Sequence, residues 1–327
     1  MKKHIFVLYT GGTIGMSAGS KGLSPDATLA TKALAPFTNL CDFDWHICRP
    51  LIDSSAVTLQ NWQDWLMLLQ NAIPQYDGIL VLHGTDTLAY TANLFALALQ
   101  GLKKPVILTG SQWPFDSNGS DAPLNLATAI AALQLPNFRE VAIAFNGKLL
   151  SPIGSSKTST ETAEGFSNPH FGTLGRWHPK QGWQELCLSE KENAPFNIQP
   201  LDVEANVACY TLIPGQMADV IAKNLAKSHA QAVILQTYGH GNAPNNESLV
   251  TAAADYVSQG GLLLNISQVP QGRAAPLYAQ GNALRTTGLI SGGKCNLETA
   301  VALLTLAISK KASAAWIEQE LQHLNLI

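Results

Sequence analysis

Two short apolar runs each break into a glycine-rich turn flanked by threonine. Ile5-Phe6-Val7-Leu8-Tyr9 runs into Thr10-Gly11-Gly12-Thr13-Ile14, and Ile79-Leu80-Val81-Leu82 into His83-Gly84-Thr85-Asp86-Thr87. Continuous apolar runs of this length and β-branched content fit strands buried on both faces, the condition of a parallel sheet covered by helices. Glycine lets the backbone turn sharply and come close to a ligand. In an open α/β sheet, ligands bind beyond the carboxyl ends of the strands. Two such strand ends leave few architectures open, and the threonines stand where a sheet of this kind holds its ligand.

The order of elements agrees with that restriction. Strands are predicted over 4–9, 44–49, 77–83, 105–109 and 140–145, alternating with helices over 58–72, 86–100 and 123–133. Alternation of this kind implies a parallel, doubly wound sheet. From about 147 to 200 the periodicity weakens and Ser, Thr, Pro and Gly accumulate, so irregular or antiparallel segments and an interdomain linker are expected there. The alternation then resumes, with strands over 207–212, 232–237 and 262–266 and helices over 216–226, 248–259, 296–308 and 312–324. The fold class is therefore α/β: a large N-terminal doubly wound parallel-sheet domain over 1–189, a linker over 190–204, and a smaller C-terminal α/β domain over 205–327.

Length and composition fit that division. The 327 residues exceed one ordinary core, and 46% apolar with 13% charged residues describes a globular chain with much buried surface. A formal charge of −3 without basic runs gives no footprint for nucleic acid or an anionic membrane. Five cysteines without C-x-x-C spacing read as reduced thiols rather than a disulfide framework or a zinc site. The opening Met1-Lys2-Lys3 imitates a signal peptide, but its apolar run stops at Thr10-Gly11-Gly12. A cytoplasmic protein is expected.

Neither glycine turn is a nucleotide loop, because G-x-G-x-x-G and G-x-x-x-x-G-K-[ST] are both missing. Gly15, Gly19 and Gly22 instead mark a segment behind Thr13 that could act as a lid. Thr85 or Asp86 could simply cap the helix that follows, and His83 reads as a core residue ending its strand. Asp53-Ser54-Ser55 is a further hydroxyl-rich turn, or else the opening of the helix near Thr58. Lys157 lies in the Ser/Thr-rich run 155–162; it is either solvated or, if desolvated, able to ease deprotonation of a neighbouring threonine. Thr13, Ser54, Ser55, Thr85, Asp86 and the Thr109-Gly110-Ser111 turn all fall at or beyond predicted strand ends, so the fold would gather them into one crevice. A cluster rich in hydroxyls and carrying both charge signs suits a small zwitterion and acyl chemistry.

These residues carry a resemblance. Tyr9-Thr10-Gly11-Gly12-Thr13-Ile14-Gly15 and Leu82-His83-Gly84-Thr85-Asp86-Thr87 are similar to the two signatures of the bacterial-type L-asparaginases. Ile52-Asp53-Ser54-Ser55, Leu108-Thr109-Gly110-Ser111-Gln112, Tyr238-Gly239-His240-Gly241-Asn242-Ala243-Pro244 and Gly281-Asn282-Ala283-Leu284 support it. The details resemble the cytoplasmic type I branch. The resemblance implies Thr13 as the nucleophile toward the side-chain amide of L-asparagine, with Thr85, Asp86 and Lys157 as a second polar set. It implies a substrate site of Asp53, Ser54, Ser55, Thr85 and Asp86, in which Asp86 binds the ammonium and Ser54 and Ser55 the carboxylate. It also implies no metal or organic cofactor, and a homodimer or dimer of dimers whose active site takes a contribution from the neighbour's small domain.

Three positions depart from the pattern. Leu23 stands where many members carry a lid tyrosine, and Tyr278 is the candidate to replace it across the dimer. Gln236 and Val269 stand where the allosteric type I enzymes have an arginine and a cysteine. A catalytically silent amino-acid-binding or regulatory protein on the same fold remains the alternative, and a nicotinamide-binding oxidoreductase a distant third.

Overall fold

The structure, a computed structural model, describes residues 2–19, 22–188, 195–275 and 282–327. The chain divides into two compact units, Met1–Pro200 and Leu201–Ile327. Each is built on its own sheet.

The first unit holds eight strands in the spatial order Gly182–Gln184, Gly175–His178, Lys148–Leu150, Val141–Phe145, Val106–Thr109, Gly78–Leu82, Lys3–Tyr9, Cys41–Ile47. The last five are mutually parallel, and the first three join antiparallel at the far side. The sheet is thus dominated by parallel strands without being wholly parallel, and its antiparallel part falls in the stretch where periodicity weakens. Gly78–Leu82, Val106–Thr109 and Val141–Phe145 are buried at every position, as continuous apolar runs require.

Cys41–Ile47 corrects the strand expected over 44–49. It is an edge strand whose sequence alternates, leaving Asp42 and Asp44 exposed while Cys41 is buried. A search for unbroken apolar runs misses that pattern, and charges on an edge strand guard it against pairing with other chains. The helix Ala27–Leu34 was not anticipated. Asp26 opens it by accepting from Thr28 N, and Leu29, Ala30, Ala33 and Leu34 are buried. Helix Leu59–Ala72 begins at a reciprocal cap between Thr58 and Asn61 and buries Trp62, Trp65, Leu66 and Leu69. Helix Thr85–Ala98 stops short of Gln100, because Leu99–Gln100 pairs antiparallel with Asn197–Ile198.

The second unit has four parallel strands, ordered Val207–Thr211, Ala232–Thr237, Leu262–Ser267, Ile290–Ser291. Helices Met217–Leu225 and Glu247–Ser258 pack on each other over a core of Ile221, Leu225, Val233, Leu235, Leu249 and Leu263. Helix Leu297–Ser309 packs on the strands and on the last helix, Ala314–His323. Among the described residues no helix is long and apolar enough to cross a membrane.

Candidate active site

Three turns meet backbone to backbone at the carboxyl ends of the parallel strands of the first unit. Thr10 N and Thr10 Oγ1 both donate to Leu82 O, at 3.0 and 3.1 Å, and Ile52 N donates to Thr10 O at 2.8 Å. Gly12 has a φ of 100°, and a Cβ there would lie 2.5 Å from Gly84 Cα and 2.6 Å from Gly84 N. A Cβ on Gly84 would in turn lie 2.5 Å from Ser54 Oγ. Side chains are excluded at both glycines by contact, and at Gly12 also by the left-handed conformation. The turns that carry Thr13, Ser54 and Thr85 therefore touch one another.

Thr13 opens a short 3-10 turn, Thr13–Gly15, and is half-buried. Ser54 is buried within the 3-10 turn Ser54–Ala56, and Asp53 caps that turn by accepting from Ser55 N and Ser55 Oγ at 3.0 Å each. Thr87 Oγ1 donates to Ser54 O at 2.7 Å and ties the second turn to the third. Asp53 and Ser55 are exposed.

Thr85 is the first residue of its helix and is buried, with Asp86 exposed beside it in the same turn. Lys157 comes to them from 72 and 71 residues away. Its Nζ donates to Thr85 Oγ1 at 2.7 Å and to Asp86 Oδ1 at 2.7 Å, with the lysine side chain only 17% exposed. A partly desolvated ammonium on a hydroxyl oxygen stabilises negative charge developing there, and leaves the hydroxyl proton free to point elsewhere. The structure thus brings together the second set of polar residues read from the sequence.

The loop holding Lys157 is itself held. Asn168 Nδ2 donates to Ile153 O at 2.8 Å, and Thr158 N donates to Gly165 O at 2.8 Å. Gln112 Nε2 donates to Ser159 O at 2.7 Å and Thr162 O at 3.2 Å. Gln112 N in turn donates to both oxygens of buried Asp121 at 3.0 Å, and Trp113 N to one of them at 3.1 Å. Asn125 Nδ2 donates to Asp121 Oδ2 at 2.8 Å and Gly110 O at 2.9 Å, while its Oδ1 accepts from Asn146 N at 2.7 Å.

Asp121, Asn125 and Asn168 escaped the sequence reading as supports. The available signal was Asn125, an amide alone inside the apolar helix Ala122–Leu133. Thr109 and Ser111 do stand at a strand end, but they do not join the polar cluster. Their hydroxyls donate to Ala144 O at 2.7 Å and Trp113 O at 2.6 Å.

His83 is fully buried, as expected of a core residue ending its strand. Its Nδ1 meets Gly84 O at 2.7 Å and must donate there, so Nε2 accepts from Thr91 Oγ1 at 2.9 Å, and Thr91 Oγ1 accepts from Trp62 Nε1 at 2.9 Å. Burial pushes the imidazole down to about 4. A neutral ring with both nitrogens engaged orients the Gly84 peptide; it offers no free base.

In the second unit Gln236 Oε1 accepts from Thr211 Oγ1 at 2.7 Å, and Val269 is exposed. The turn after strand Ala232–Thr237 is fixed by Asn265 Nδ2 donating to Gly241 O at 3.1 Å and Ser267 Oγ to Gly239 O at 2.6 Å. Leu23 lies in the strand Gly22–Pro25, which pairs antiparallel with Met16–Gly19. Tyr278 lies outside the described residues.

Residues 4–186 match the family model of the asparaginase N-terminal domain, and residues 206–321 that of the glutaminase/asparaginase C-terminal domain. The chain belongs to the asparaginase family. It is 32% identical to L-asparaginase 1 of Escherichia coli over 98% of this chain and 96% of that protein. The crystal structure of L-asparaginase I from Vibrio cholerae superposes with a TM-score of 0.86 at 32% identity, covering 98% of this chain and 97% of that one. A probable cytoplasmic L-asparaginase from Campylobacter jejuni gives 0.81 at 26% identity, covering 98% and 99%. Thr13, Ser54, Ser55, Thr85, Asp86 and Lys157 all fall inside the segment that matches the asparaginase N-terminal domain.

Proposed function

We propose that this chain hydrolyses the side-chain amide of L-asparagine to L-aspartate and ammonia through a threonine ester. The observation that carries the reading is the Lys157–Thr85–Asp86 contact, with both bonds at 2.7 Å, on a turn packed against the one that carries Thr13. Thr13 Oγ1 attacks the amide carbon, its proton passes to the amide nitrogen, and the C–N bond breaks to release ammonia. Water, oriented by Thr85 with Lys157 behind it, then attacks the ester; the proton returns to Thr13 and aspartate leaves. Backbone N–H groups of the two touching turns steady the oxyanion in both steps. Asp86 takes the substrate ammonium, and Ser54 and Ser55, on the turn capped by Asp53, take the carboxylate. Affiliation to the type I branch, a cytoplasmic location and assembly as a dimer or dimer of dimers belong to the same reading, supported by the whole-length match to the E. coli and V. cholerae enzymes.

The test is ammonia release by the purified chain from L-asparagine and L-glutamine side by side. Anchoring both α-groups fixes the distance to Thr13, so an added methylene misplaces the carbonyl carbon, and a misplacement of about 1 Å costs on the order of a hundredfold. Equal kcat/KM for the two amides would contradict this anchoring. No ammonia from either, with binding of asparagine intact, would favour a silent amino-acid-binding protein.

A further inference from the structure

Tyr9 ends the strand Lys3–Tyr9 with its ring in the core of the first unit. Its hydroxyl is buried and has no hydrogen-bond partner, the one such side-chain atom among the described residues. Buried hydroxyls almost always find partners, and an unmade bond costs free energy, so the exception calls for a physical reason. The phenol lies against Gly15. A Cβ on Gly15 would overlap the hydroxyl and stand 2.8 Å from Tyr9 Cζ, so only glycine fits above the ring. Gly15 is also the last residue of the 3-10 turn that Thr13 opens.

That turn is pinned at Gly15 on both sides. Gly15 N donates to Gly12 O at 3.2 Å, and Gly15 O accepts from Asp26 N at 2.6 Å. A carbonyl oxygen has two lone pairs, so Gly15 O can take a second donor. Burial, with Asp26 nearby, pushes the phenol up to about 12, which leaves it a donor and not a base at neutral pH.

We propose that Tyr9 is a positioning residue for Thr13: its buried hydroxyl bears on the Thr13–Gly15 turn and donates to the Gly15 carbonyl when that turn takes the position in which Thr13 reacts. Tyr9 acts through the backbone of Gly15. A hydrogen bond made only in the reacting position raises kcat and leaves KM alone. The proposal rests on Thr13 being the nucleophile.

Tyr9→Phe removes the hydroxyl and keeps the ring. The expected result is a fall in kcat of about tenfold with KM within about twofold, and a melting temperature no lower than that of the unaltered chain, because an unpartnered hydroxyl is being removed. A merely structural role would lower the melting temperature instead. Gly15→Ala supplies the second reading: alone it should lower kcat, and combined with Tyr9→Phe it should cost less than the sum of the two. Wild-type kcat in Tyr9→Phe, a melting temperature that drops sharply, or strictly additive losses would each overturn the proposal. An unaltered chain that releases no ammonia overturns both this proposal and the reading beneath it. An active one with an unaffected Tyr9→Phe overturns this proposal alone.

Discussion

Lys157 reaches two oxygens at 2.7 Å, one of them the hydroxyl of a buried threonine. Its carboxylate partner Asp86 is largely exposed, so solvent screens that half of the contact and the pair contributes little to stability. The worth of the lysine lies with Thr85. Lys157→Met is expected to lower kcat by about a hundredfold while KM changes only a few-fold, the pattern of an interaction felt in the transition state. Steady-state kinetics decide it; a change confined to KM would make Lys157 a device for attracting substrate. His83 has an effect of a different kind. Its ordinary value is 6.5 and burial holds it near 4 in the folded protein. Between those two values the unfolded chain takes up a proton that the folded chain refuses. Stability is therefore fully present above pH 6.5 and falls as the pH drops toward 4, by about 3 kcal/mol. Urea midpoints measured across that window should rise with pH, and His83→Gln should flatten the rise. An unchanged slope would show that other groups cause it.

Among the elements, the loop from Gln112 to Asp121 does the most to place the site, since Gln112 holds the Lys157 loop and Asp121 holds Gln112. Asn125→Leu leaves Gly110 O, Asn146 N and one Asp121 oxygen short of a partner, so a loss of about 2–4 kcal/mol is expected in urea unfolding, with kcat lowered as Gln112 loosens. A loss under about 1 kcal/mol would mean that the network re-forms without the amide. This support was not legible in the sequence, because its partners are backbone groups brought close only by tertiary folding, and a lone Asn125 in an apolar helix does not say what it bonds. The buried strands were legible, since Ile79–Leu82 and Ile5–Tyr9 are unbroken apolar runs that lead into glycine-containing turns. Strand Cys41–Ile47 was misplaced because an edge strand alternates, and helix Ala27–Leu34 was missed because its short apolar face follows a glycine-rich segment. Residue type left Thr85 and Asp86 as possible caps and Lys157 as possibly solvated; the resemblance grouped the three, and the sequence held nothing about the 2.7 Å contacts that unite them.

For the molecule as a whole, one unit is built on a mainly parallel sheet and the other on a wholly parallel one, and they carry family matches over residues 4–186 and 206–321. In the second unit Gln236 is a neutral amide bonded to Thr211 on the adjacent strand, and Val269 is exposed, at the two positions where the allosteric type I enzymes resembled here have an arginine and a cysteine. Saturation by asparagine is therefore expected to be hyperbolic, with a Hill coefficient of about 1. A clearly sigmoidal curve would place effector binding elsewhere in the chain. In the proposed mechanism the hydroxyl of Thr13, on a turn packed against that of Thr85, is the nucleophile. The most direct measurement is ammonia release from L-asparagine by Thr13→Ala beside the unaltered chain, with melting temperatures taken on the same preparations. Removing a nucleophile should cut kcat by about a thousandfold or more and leave the melting temperature in place, since Thr13 is only half-buried. Near-normal turnover by a pure, folded Thr13→Ala protein would show that Thr13 is not the nucleophile.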